Sequence, residues 1–198
     1  ALSFTPEHIS CYQLSLGINT PLDKQYSAQG WHLPDENAEH RFFLTTDEEL
    51  KKAGYVHYEV SNFARSDKFK SRHNQKYWRH VPYLGLGPAA HSFLTNRRWW
   101  NKASAGAYIK EICLGIMPVE GRETLTNEQM QLEALFLGLR TSEGIDLRLY
   151  KTRHGGDLLT GKTDILDELI KNKLVELKNG FLRPTVAGMA VADSLALI

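Results

Sequence analysis

The chain holds little of what usually betrays a function at once. Only two cysteines, Cys11 and Cys113, occur in 198 residues. They lie far apart and match no zinc, iron–sulfur or thioredoxin spacing, so neither a disulfide scaffold nor a cysteine-built metal framework is indicated. A reducing, cytoplasmic setting is the simplest one for such a chain. No apolar run approaches the roughly 20 residues that a membrane-spanning helix needs, and no signal peptide is visible. Excess charge is missing too: 24 basic against 23 acidic residues leave a net +1, so no global field draws the chain to nucleic acid or membrane. Binding must come from local sites. The chain also lacks an initiating methionine and opens almost directly on a strand-like segment, which predicts a fragment excised from a longer protein.

What is present is an ordinary globular composition, 42% apolar and 24% charged, long enough for one large or two small domains. Residues 8–16 alternate apolar and polar side chains with β-branched and aromatic content, which predicts a strand. Pro34 and Asp35 then open a helical pattern with acidic residues in its first turn. Ala38, Phe42, Thr46 and Leu50 recur at four-residue spacing, and Gly54 supplies the stop. Tyr55 to Val60 is again strand-like. Strand, helix and strand together predict a β-α-β unit of a parallel sheet.

Such a unit cannot cover both faces of a parallel sheet alone. Tyr77 to Trp100 is rich in aromatics and glycine, with a tight loop at Gly85-Leu86-Gly87-Pro88. That pattern is as readily a closely packed turn as a ligand loop. Residues 115–124 read as a linker, dividing residues 1–114 from 125–198.

Beyond the linker, Thr126 and Gln129 form a capping-box pattern. Met130, Ala134, Leu135, Leu137 and Leu139 follow as a wide apolar stripe. Short helices are predicted over 146–153 and 164–173, the latter with Ile165, Leu166, Leu169 and Ile170 inward. Asn179-Gly180 between two apolar runs predicts a hairpin, and a last helix runs from Val186 toward Leu197. Three helices, a hairpin and a helix describe a winged-helix-like α+β module.

Residues 73–77 read His73-Asn74-Gln75-Lys76-Tyr77. They lie between Tyr58-Glu59-Val60-Ser61-Asn62-Phe63-Ala64 and Tyr83-Leu84-Gly85-Leu86-Gly87-Pro88-Ala89-Ala90-His91-Ser92. With these elements in this order, the sequence resembles the HemN/HemW group of radical S-adenosylmethionine proteins, oxygen-independent coproporphyrinogen III oxidases and their haem-chaperone relatives. The H-N-x-x-Y element is similar to the HemW type. The resemblance runs from His8-Ile9-Ser10-Cys11-Tyr12-Gln13-Leu14 through Gly138-Leu139-Arg140-Thr141 to the C-terminus. It covers only the C-terminal half of such a protein, since the family's C-x-x-x-C-x-x-C run is absent.

The resemblance implies an α/β fold, the C-terminal part of a partial (β/α)6 barrel followed by the winged-helix-like module. It implies haem as ligand, with S-adenosylmethionine and a 4Fe-4S cluster in the full-length protein only. Implied partners are haem or porphyrin, a haem-acceptor protein and, for the full-length protein, a peripheral membrane contact. The runner-up function is the oxidase, which decarboxylates coproporphyrinogen III in porphyrin biosynthesis; a third reading is a purely structural domain.

The candidate haem-binding residues are His73, Asn74 and Tyr77. A four-residue spacing puts His73 and Tyr77 on one face of a helical turn, and an imidazole nitrogen is a common axial ligand of haem iron. Trp78, Tyr83, Trp99 and Trp100 are candidate apolar plates, and Arg72 and Arg79 candidate propionate partners. His80 and His91 are rivals for the iron contact, and the alternative for His73 is a structural hydrogen bond in a loop.

By resemblance, Ser15, Gly85, Gly87, Ala90 and His91 lie near S-adenosylmethionine, although Ser15 and His91 are polar where relatives carry small apolar residues. Glu59 and Asn62 stand at the end of the second strand, where barrel sites form; loop-anchoring is their alternative role. No catalytic residue is assigned, and no cluster ligand. Nucleic acid is not an expected partner, because the helix over 164–173 carries three acids before its first base. An unpaired edge beside the first strand predicts self-association of the fragment.

Overall fold

Asp35 starts the longest helix by accepting a hydrogen bond from Ala38 N at 2.7 Å. In the computed structural model, which describes residues 1–29 and 33–196, the elements up to that helix are β1 (His8–Ser10), α1 (Pro21–Gln29) and α2 (Glu36–Lys52). Glu36 and Glu39 in the first turn of α2 and Lys51 and Lys52 in its last complement the helix dipole. Its inward stripe differs from the expected one. Phe42 is 54% exposed, whereas Asp47 is buried beside Leu50. A carboxylate is tolerated there because the His57 ring at 2.9 Å and Lys51 Nζ at 2.9 Å satisfy it.

β2 (Val56–Glu59) and β3 (Asn62–Ala64) follow. The expected parallel β-α-β pairing is corrected here. β3 lies between β1 and β2 and runs antiparallel to both, giving the order β1-β3-β2. Val60 and Ser61 are enough to turn the chain back, and Phe63 fills the core beneath with Leu50 and Tyr55. The first strand also ends at Ser10, not at residue 16. Cys11 N still donates to Ser61 O at 2.8 Å, after which the backbone has no strand partner among the described residues.

α3 (Arg72–Trp78) leads to a second antiparallel sheet, β4 (His91–Leu94), β5 (Arg97–Asn101) and, after α4 (Ala105–Cys113), β6 (Val119–Thr124). The expected linker over 115–124 is therefore largely a sheet strand. Gly121 faces Trp100 across β5 and β6, and a Cβ on it would fall 2.4 Å from that indole. This glycine, inside the expected linker, is the residue that lets the ring lie close on the sheet.

The remaining elements are α5 (Asn127–Gly138), β7 (Ile145–Asp146), α6 (Leu147–His154), α7 (Thr163–Lys171), β8 (Val175–Lys178), β9 (Phe181–Pro184), α8 (Val186–Met189) and α9 (Ala192–Leu195). The Thr126–Gln129 capping box is formed in both directions, and Asn179 (φ 53) and Gly180 (φ 78) make the tight hairpin turn. Leu135, Leu139, Leu166, Val175 and Leu182 form the largest buried cluster. Of the residues expected inward on α7, Leu166 is buried while Ile165 (48%) and Ile170 (37%) are exposed. The expected last helix is split into α8 and α9, and its Leu197 end lies outside the described residues.

The two halves are joined at the outer edge of β2. Val60 N donates to Arg140 O at 3.0 Å and Ser142 N to Tyr58 O at 3.1 Å. The outer edge of β1 has no partner strand among the described residues.

Candidate functional site

Ser71 caps α3 by accepting from Asn74 N at 3.2 Å, which fixes the register of the H-N-x-x-Y element. His73 Nε2 and Tyr77 Oη then lie 3.0 Å apart on one face of the helix. From there a row of edge-on rings runs inward: His73 on Tyr77 at 5.0 Å, Tyr77 on Tyr83 at 4.6 Å, and Tyr83 tilted on Phe93 at 6.2 Å. His73 itself is exposed and Tyr77 half-buried. The phenol thus orients an accessible imidazole, the arrangement a ligating histidine needs. Iron ligation through Nε2 would require the phenol to swing aside.

The other residues expected around His73 are placed differently. Arg79 is committed to Glu143 at 2.7 Å. Trp78 packs on Tyr58 at 5.9 Å, and Trp100 on His91 at 5.7 Å. The ring contact of His73 is with Tyr77, not with a tryptophan.

The glycine loop is a tightly bonded turn. Gly85 N donates to Ser92 Oγ at 3.0 Å and Gly87 N to Tyr108 Oη at 3.2 Å. Asn101 Nδ2 donates to the carbonyls of Gly85 (3.3 Å) and Gly87 (3.0 Å). A Cβ on Gly85 would stand 2.1 Å from His91 O, so glycine is needed there for close backbone approach. Ala90 closes the turn onto Gly87 O at 3.4 Å. His91 begins β4 with an exposed side chain. Ser15 is exposed and lies outside any strand, contrary to its expected place on the first one. No hydrogen bond joins it to the glycine loop among the described residues.

Glu59 is 2% exposed. One carboxylate oxygen accepts from Ser61 N at 2.9 Å and from Asn62 Nδ2. The other accepts from Arg140 Nε (3.1 Å) and Nη2 (3.0 Å). Asn62 in turn accepts from Ser10 Oγ at 2.7 Å. Glu59 ends β2 while Asn62, expected on the same strand, begins β3; the two are hydrogen-bonded, with every oxygen of Glu59 occupied by the protein.

A cavity of about 440 Å³ lies behind Tyr77, walled by His80, Tyr83, Phe93, Arg98 and Glu133. Arg98 Nη2 donates to both oxygens of Glu133, at 3.0 and 2.8 Å. His80 has a left-handed backbone (φ 50). Its Nε2 is enclosed without a hydrogen bond, while Glu133 Oε2 stands 3.3 Å away out of alignment. Burial pulls this imidazole below its usual range, against the opposing pull of Glu133. Arg140, Asn101 and the buried Asp47–His57 pair were not legible as site residues, because each acquires its role from a partner distant in sequence.

The class defined by these features is a mixed α/β protein in which an N-terminal sheet and a helical unit containing a β-hairpin are locked by a buried ion pair. Residues 125–191 match the model of the HemN C-terminal domain. The chain is 35% identical over 148 residues, 73% of its own length and 35% of the relative's, to the haem chaperone HemW of Synechocystis. It is 32% identical over 200 residues to the mitochondrial radical S-adenosyl methionine domain-containing protein 1 of Danio rerio, covering 96% of this chain and 45% of that one. It is 29% identical over 175 residues to HemW of Bacillus subtilis, covering 88% of this chain and 46% of the relative. Among solved structures, coproporphyrinogen III oxidase (HemN) of Escherichia coli shares the fold with a TM-score of 0.67 at 15% identity, over 97% of this chain and 47% of that one. The chain spans less than half the length of these relatives, and it belongs to the HemN/HemW family of radical S-adenosylmethionine proteins, matching its C-terminal part.

Proposed function

We propose that this chain is the C-terminal part of a HemW-like haem chaperone, in which His73, Asn74 and Tyr77 contribute the haem contact. The observation that carries the reading is the accessible His73 imidazole held by Tyr77 Oη at 3.0 Å within an H-N-x-x-Y element. Support comes from several relatives described as haem chaperones at 29–35% identity. The coproporphyrinogen oxidase reading is second, because the HemN likeness is one of fold.

Haem, when bound, would supply an iron that accepts an imidazole nitrogen. The chain's own part is to present His73, orient its ring through Tyr77, and offer the Tyr77–Tyr83 edge as an apolar rim. Within the same proposal, the first sheet is the last portion of a partial barrel and residues 125–196 a winged-helix-like module. A 4Fe-4S cluster and S-adenosylmethionine are assigned to the full-length protein. Here Cys11 lies just past the end of β1 and Cys113 at the end of α4, and no three potential metal ligands gather among the described residues. A haem-acceptor protein and a cytoplasmic setting complete the proposal.

Haem titration followed in the Soret region tests it. His73→Ala shifts the spectrum and weakens binding, while His91→Ala leaves both in place. An unchanged spectrum and affinity in His73→Ala assigns the histidine to structure. Loss of the spectrum in His91→Ala instead places the ligand on the glycine loop.

A further inference from the structure

A second cavity, of about 360 Å³, separates α3 from α6 and the loop before it, and nothing above uses it. Four aromatic rings line it: Tyr58, Trp78, Tyr150 and Phe181. Of the three cations there, Lys70 is paired with Asp67 at 2.8 Å and Arg79 with Glu143 at 2.7 Å, which leaves Arg153 as the lining cation with no carboxylate partner among the described residues. His80 and His154 add nothing at neutral pH, because burial lowers both imidazoles and the Arg153 charge lowers them further. Neither lining carboxylate is free to draw in a cation. Asp146 caps α6 through Leu149 N at 2.9 Å, and Glu143 is held by Arg79 at 2.7 Å.

Several polar groups on these walls have no protein partner. Tyr150 is only 7% exposed, yet its hydroxyl makes no hydrogen bond among the described residues, and the same is true of the Gln75 amide, the Trp78 indole N–H and the His154 ring. The buried His80 Nε2 is likewise without a hydrogen bond. Arg153 gives Nη1 to Arg79 O at 3.1 Å and keeps its other donors free. Of these wall groups only His80 Nε2 is sealed from solvent; the others open onto a cavity of ligand size, where a bound molecule can supply the partners that water otherwise would.

Ring surfaces call for an aromatic ligand, and a guanidinium with free donors calls for an oxyanion. One unpaired guanidinium, Arg153, suits a monoanion better than a phosphate, which carries about 1.5 to 2 negative charges at neutral pH. The helix terminus that would favour a phosphate is already filled by Asp146. We propose that the cleft between α3 and α6 binds a small aromatic carboxylate, its carboxylate taken by Arg153 and Gln75 and its ring by Trp78, Tyr150 and Phe181. This site is independent of the haem reading, since His73 does not line it.

Calorimetric titration of the whole chain with naphthalene-2-carboxylate tests the proposal, with the uncharged naphthalene-2-methanol and naphthyl phosphate as comparison arms. The carboxylate should bind about tenfold more tightly than the alcohol, a difference of roughly 1.4 kcal/mol. Arg153→Ala should erase most of that advantage and leave alcohol binding unchanged; Arg153 is exposed, so the fold should tolerate the change. Gln75→Ala should weaken the carboxylate a few-fold, and His73→Ala should leave it unaltered. Absence of carboxylate binding, equal affinity for acid and alcohol, or an Arg153→Ala chain that keeps the preference overturns the site. Tighter binding of the phosphate ester overturns the carboxylate assignment.

Discussion

Arg140 places two nitrogens, Nε at 3.1 Å and Nη2 at 3.0 Å, on one oxygen of Glu59, 81 residues away in sequence. The pair sits where β2 meets the segment after α5, so it locks the first sheet to the helical unit. Breaking a buried pair by removing one partner strands the other charge, at a cost of about 3–5 kcal/mol. Arg140→Met should fall at the low end, about 3 kcal/mol, because the arginine side chain is 25% exposed and solvent screens part of the attraction. Urea denaturation measures it. A loss under about 1 kcal/mol would show that the backbone contacts alone hold the junction.

Two glycines respond in opposite directions to a methyl group. Gly85→Ala drives a Cβ to 2.1 Å from His91 O and should cost about 1–3 kcal/mol through overpacking. In α4, the nearest atom to a Cβ on Gly106 is Ser104 Oγ at 3.9 Å. Gly106→Ala should therefore stabilise by about 0.5–1 kcal/mol. Thermal melting of both variants checks the pair, and a stabilised Gly85→Ala would contradict the close-packed reading of the loop.

Acid should weaken the fold before the carboxylates titrate. Burial lowers the imidazoles of His8, His80 and His154 in the folded state. The unfolded chain then binds more protons as pH falls, so stability is full above the ordinary histidine range near 6.5 and declines as pH drops through the lower folded values. Urea midpoints should fall between pH 7 and pH 5, and His80→Gln should flatten the slope. A midpoint that rises toward pH 5 would refute the sign.

Local chemistry made much of this chain readable in advance. Asp35 and Thr126 each cap a helix through a bond to a backbone amide three residues on, and Asn179-Gly180 turns the hairpin through positive φ angles. These depend on neighbours within one turn of chain, so the order of residues determines them. The same is true of the four-residue spacing that sets His73 beside Tyr77, and of the motif order that marks the family. The tertiary structure decided the rest. β3 slips between β1 and β2, and β6 joins a sheet where composition suggested a linker. Asp47 takes a buried position on α2 that an apolar residue would ordinarily hold, because His57 meets it from β2. Glu59 likewise becomes a junction only when Arg140 arrives. In each case the partner comes from outside the local turn, and burial raises the energy of a polar group until that partner is in place, a condition no local pattern can report.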